Sequence, residues 1–106
     1  MGDLVLVATL QVRRDALDAF RRFEAIAARV MSRHGGAIER VVVLRPEAPD
    51  ADHREVHLVR FPDEAAFAAY RGDPELLAAS PLREQSVIAT SILVGTDGPD
   101  YHRAAV

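Results

Sequence analysis

A chain of 106 residues without cysteine, 49% apolar and 27% charged at a net charge of −3, has the make-up of one globular domain, not of a disordered or disulfide-stapled chain. No apolar run approaches the roughly 20 residues of a membrane helix, and the N-terminus lacks the basic stretch and cleavage site of a signal peptide, so a cytoplasmic protein is expected. All 13 basic residues are arginine, which removes lysine Schiff-base chemistry.

Leu4 to Ala8 is apolar on both faces, the pattern of a central strand, and the strand runs on to Val12 with Thr9 and Gln11 making one face more polar. Asp15 is placed to cap the next helix, with Asp18 in its first turn. Ala16, Phe20, Phe23, Ala27, Val30 and Met31 recur at helical spacing as an apolar stripe in a helix that extends to His34. Gly35-Gly36 supplies the left-handed residue that ends such a helix, and a second strand follows from Ile38 to Leu44. Residues 46–54 contain two prolines and no periodicity, and are expected as an exposed loop.

A third strand covers Val56 to Phe61, and Pro62-Asp63 stops it and starts a helix carrying Phe67 and Tyr70 towards Arg83. Asp73-Pro74 and Ser80-Pro81 each combine an N-cap residue with a first-turn proline, so this helix is expected in pieces. The last strand is Val87 to Val94, closed by Gly95, with residues 96–106 as a tail beyond a domain of residues 1–95.

The doubled strand–helix–strand pattern predicts a ferredoxin-like α+β fold, β-α-β-β-α-β, with a four-stranded antiparallel sheet and its helices on one face. Val5, Val7, Val41, Val43, Val59 and Phe61 cannot all point towards those helices. The apolar remainder of the sheet would leave a patch larger than monomers tolerate, and a second copy of the chain would bury it.

The residues His34-Gly35-Gly36-Ala37-Ile38, the run from Val59 to Tyr70 with its Phe61-Pro62-Asp63 strand exit, Asp73-Pro74, Leu82-Arg83 and Gly95 together resemble the dimeric α/β-barrel superfamily. That group includes antibiotic-biosynthesis monooxygenases and EthD-like proteins, and this chain is most similar to an uncharacterised bacterial branch. The resemblance spans about residues 4–95 and implies a homodimer with a pocket between sheet and helices. The chain has no tryptophan and no asparagine, which sets it apart from the heme-degrading relatives.

Tyr70, on a helix facing the sheet, is the first candidate: its phenol could donate to a ligand carbonyl or act as a weak acid, or simply be an amphipathic core residue. His57 could serve as acid or base, or lie at an edge or dimer interface. Arg60, in an apolar strand, could clamp a carboxylate or pair with Glu55 or Glu64. Arg83 could do the same or be solvated, and Gln11 and Phe67 complete the expected ligand-binding set. His34 is expected to meet the end of the first helix dipole. His53 and His57 with Asp50 or Asp52 do not converge on a metal, and no metal or cofactor is expected. The arginine-rich face of the first helix lacks interleaved aromatics, which argues against nucleic acid.

The functional expectation is a small-molecule-binding dimer, either a cofactor-independent oxygenase or an isomerase/cyclase acting on an apolar metabolite of aromatic or carboxylated type. The alternative is a non-catalytic dimeric binding or accessory protein.

Overall fold

The computed structural model describes residues 2–104. In chain order the elements are β1 (Leu4–Val12), α1 (Leu17–Arg33), β2 (Ala37–Val43), β3 (His53–Phe61), α2 (Glu64–Arg71), α3 (Pro74–Ala78), α4 (Ser80–Ser86), β4 (Val87–Gly95) and α5 (Tyr101–Ala104). The strands form one antiparallel sheet in the order β2-β3-β1-β4. This is the ferredoxin-like α+β fold that the doubled pattern implies.

Side-chain alternation divides the sheet. Leu6, Leu10 and Val12 of β1, and Glu55, His57, Val59 and Phe61 of β3, are buried beneath the helices. Cross-strand pairing carries that face outward, Leu6 opposite Val59 and Val94, and Ala8 opposite His57 and Ile92. The same register puts Val41 opposite His57 and Val43 opposite Glu55, on the helix face but at its exposed margin. Val59 and Phe61 therefore belong to the core, and the open face is built around Val5, Val7, Val56, Leu58, Val42 and Leu93.

Helix α1 is continuous for 17 residues and buries Phe20, Phe23, Ala27, Val30 and Met31. It ends in a Schellman motif: Gly36 N–H donates to the Met31 carbonyl (2.9 Å) and Gly35 N–H to that of Ser32 (3.2 Å). Gly35 takes φ +77°, and a Cβ on Gly36 would collide with the Phe61 ring. At the other end the expected Asp15 cap is absent. The helix N-cap is Ala16 with no side-chain bond, because the turn closed by Ala16 N–H and Arg13 O (3.0 Å) leaves Asp15 one residue too early.

The second crossover is broken, as its prolines predict. Asp63 caps α2 through Ala66 N–H (2.8 Å), and Asp73 caps α3 through Glu75 N–H (2.9 Å). Ser80 is not a cap. Ala79 stays in helical space at φ −85°, ψ −1°, so Ser80 is already the first residue of α4 and its hydroxyl donates to Leu77 O (2.5 Å). The tail beyond Gly95 is tied back by Asp97, which accepts from Arg60 at 2.7 and 2.8 Å, before the short α5.

Candidate functional site

Breaking the second crossover has a consequence for packing. Helices α2 and α3 bury no residue fully and α4 only Ser86, so this layer bridges over the sheet instead of filling the space against it. Beneath it lies a cavity of about 430 Å³. Its floor is Leu6, Ala8, Leu10, His57 and Val59 of the sheet with Ile92 and Thr90 of β4. Phe23, Glu24 and Met31 of α1 form one wall, and Phe67, Tyr70, Arg71, Leu76, Leu77, Ser80 and Arg83 roof it. Phe61 anchors the roof, its ring centroid 5.3 Å from Phe67 and 5.4 Å from Tyr70.

The chemistry in this mostly apolar space is carried by a polar line that begins under α1. The Glu55 side chain is fully buried, 0% exposed, and accepts from Arg21 (2.5 Å), His53 Nε2 (2.6 Å) and His57 Nε2 (2.8 Å). Burial alone would raise its carboxyl; the donors Arg21, His57 and His53 outweigh that and lower it to about 2. An ionised carboxylate on Nε2 keeps an N–H at that nitrogen, so Nδ1 is the ring position left to exchange a proton. Nδ1 lies 3.7 Å from Glu24 Oε2 on the cavity wall. The Glu24 carboxyl is raised, first by burial and further by the Glu55 charge, with His57, Arg21 and Arg83 opposing. The Nδ1 of His57 and a carboxyl raised by burial above its ordinary range thus meet at the cavity edge.

Tyr70 lines the cavity from its roof. Burial, followed by the charge of Glu24, pushes its phenol up to about 12 against the opposing Arg83, so the hydroxyl remains a donor throughout the neutral range. Phe67 and Arg83 line the same cavity, and Arg83 donates to Thr90 Oγ1 at 2.9 Å.

Arg60 and Gln11 do not belong to this site. Arg60 pairs across β1 with Val5 on the open face, where it meets Asp97, Glu39 and Asp3 instead of Glu55 or Glu64. Gln11 shares that face and donates to Asp52 at 3.3 Å. Both follow from strand parity: residues 5, 7, 9 and 11 of β1 turn away from the helices once Leu6 and Leu10 turn inward. His34 caps α1, and its Nε2 lies 2.8 Å from Asp73. His53 is consumed by Glu55. Glu24 and Glu55, which carry the polar line with His57, were not among the expected residues. Glu24 lies next to Phe23 at the border of the α1 stripe, and that position was its only sequence signal.

Among the described residues no group of three or more histidine or acidic side chains could hold a metal ion, and no helix is long and apolar enough to cross a membrane. No family model matches the chain, and no curated protein does. Solved structures do match. A protein of unknown function from Rhodopseudomonas palustris superposes with a TM-score of 0.74 at 19% identity, over 93% of this chain and 85% of that one. SnoaB, a cofactor-independent oxygenase from Streptomyces nogalater, gives 0.66 at 18% identity over 94% and 97%. A candidate antibiotic biosynthesis monooxygenase from Nitrosomonas europaea gives 0.69 at 16% identity over 92% of each. At these identities the likeness is one of fold, the ferredoxin-like fold that this chain shares with those structures.

Proposed function

We propose that the protein binds a small, largely apolar organic molecule in the cavity and removes an acidic proton from it, with His57 as the base. One observation carries this: His57 has its Nε2 locked to a fully buried carboxylate and its Nδ1 3.7 Å from Glu24, and both His57 and Glu24 line the cavity. Glu55 positions the ring and stabilises the imidazolium that forms, while Tyr70 donates to the developing oxyanion of an enolate or phenolate. The apolar floor strengthens both effects by excluding water.

A carbanion or phenolate made in this way is electron-rich enough to reduce O₂ directly, and the likeness to SnoaB, a cofactor-independent oxygenase, supports that outcome. Reprotonation at another atom would instead complete an isomerisation. The test is hydrogen–deuterium exchange at C1 of 2-tetralone, followed by NMR in D₂O, with O₂ uptake measured in parallel. The wild type should accelerate exchange, and His57→Gln should lose about 100-fold or more of that acceleration. Equal exchange by both proteins would sink the base assignment and favour a non-catalytic binding protein.

We infer further that the protein works as a homodimer joined through the open sheet face. There Val5, Val7, Val42, Val56, Leu58 and Leu93 form an apolar centre, with Arg40, Arg54 and Arg60 around it. Packing two such faces would bury on the order of 1,200–2,000 Å². Light scattering should give twice the 11.6 kDa chain mass, and Leu58→Asp should return it to the monomer. A wild-type monomer at micromolar concentration would overturn the assembly.

A further inference from the structure

Two guanidinium groups line the cavity, and unlike five other arginines of the domain neither lies against a carboxylate. Arg21, Arg29, Arg33, Arg54 and Arg60 each lie against a carboxylate. Arg71 and Arg83, by contrast, have no carboxylate partner among the described residues, and each is held in place by a neutral group. The Arg71 guanidinium lies over the Phe67 ring, 5.4 Å from its centroid. Arg83 donates to the Thr90 hydroxyl at 2.9 Å. The two residues line both the cavity and a shallower hollow that shares its Phe67 and Ile92 lining. Their positions are therefore set while neither guanidinium is bonded to a carboxylate.

The His57 end has the opposite character, since Glu24 and the ionised Glu55 flank that imidazole. An anion would be repelled there and attracted by the two arginines. We propose that the ligand is an amphipathic carboxylate whose apolar body fills the cavity and whose carboxylate is held by Arg71 and Arg83. Two guanidinium forks suit the planar, two-oxygen acceptor of a carboxylate. The polarity also fixes orientation: the end of the molecule remote from the carboxylate is delivered to His57. Stacking on Phe67 and the bond to Thr90 leave the arginines less rotamer freedom to lose on binding.

This rests on the cavity being the binding site, as proposed above, and the test separates the two. The probes are 2-naphthoate and its methyl ester, titrated by calorimetry at low and moderate salt, with NOEs sought between naphthalene protons and the Met31 methyl. The acid should bind at least tenfold more tightly than the ester, with the preference shrinking as salt rises. Arg71→Gln and Arg83→Gln should each remove several-fold of that preference and leave the ester unaffected, and both proteins should show the Met31 NOE. If the ester binds with the NOE but the acid gains nothing, or if its advantage survives in the double variant, the arginine assignment is overturned and the cavity reading stands. If neither compound binds or shows the NOE, both readings fall.

Discussion

The two crossovers of this fold start from the same pattern and end differently. The first is a single 17-residue helix that buries five side chains and is bolted to the sheet by the Arg21–Glu55 ion pair. The second is cut by Asp73-Pro74 and by Ala79 into three short helices that bury almost nothing. Its ion pairs, Arg33 with Asp73 and Glu75 and Arg29 with Glu75, reach α1 and not the sheet. One crossover thus supplies the core and the other supplies the cavity. The lesson is that a pocket in a small domain need not be carved out of the core, because it forms wherever a layer is too interrupted to fill its side of the sheet.

Truncation should expose the contrast most sharply. Phe20→Ala, in the α1 core at 0% exposure, should cost about 3–5 kcal/mol in denaturant unfolding. Phe67→Ala, half-buried over the cavity, should cost only about 1–2 kcal/mol, because its site already borders empty space. Equal losses would mean that the second crossover is as much a part of the core as the first.

Acid should act next, and through the first crossover. Glu55 titrates at about 2 when folded against an ordinary value of 4.5. A lowered folded value means its stabilisation is complete above about pH 4.5 and is lost as pH falls towards 2. That contribution is on the order of 3 kcal/mol. Unfolding free energy measured from pH 6 to pH 2 should fall through this window, and Glu55→Gln should flatten the fall while lowering stability at pH 7. An unchanged acid profile in that variant would remove Glu55 as the anchor.

Tyr70→Phe tests the other half. The ring keeps its contacts with Phe61 and Phe67, so stability should change by less than about 0.5 kcal/mol. Affinity or turnover for a cavity ligand should drop roughly tenfold, the loss of one hydrogen bond in a dry site. A ligand bound in the cavity with unaltered affinity would remove the phenol from the site.

The smallest effect is expected at Glu24, where the sign reverses. Its carboxyl is raised by burial, so the ionised form is disfavoured in the fold and weighs against stability once pH exceeds the ordinary carboxylate range. Glu24→Gln should therefore stabilise the protein at pH 7 by less than about 1 kcal/mol, with the gain vanishing near pH 3, where the glutamic acid is neutral in both states. Exchange activity should fall at the same time. A loss of stability at pH 7 would show Glu24 to be a structural partner of His57 and not a strained site residue.

Local chemistry was legible in the chain. The Phe20 to Met31 stripe, the Gly35-Gly36 stop, the Pro62-Asp63 and Asp73-Pro74 breaks and the apolar strands each depend on a few neighbouring residues, and together they specified the α+β ferredoxin-like fold. Tyr70, Phe67 and Arg83 could be placed near a sheet-facing cleft because helical spacing is local too. Which face a strand residue occupies was not local. His57 and Arg60 are three residues apart on β3, so they turn to opposite sides of the sheet, and nothing in the strand itself says which side the helices will cover. That choice came from packing α1 and the broken crossover onto Leu6, Leu10 and Phe61. It put His57 beside Glu24 and Glu55, sent Arg60 and Gln11 to the open face, and left the cavity where short helices could not fill it.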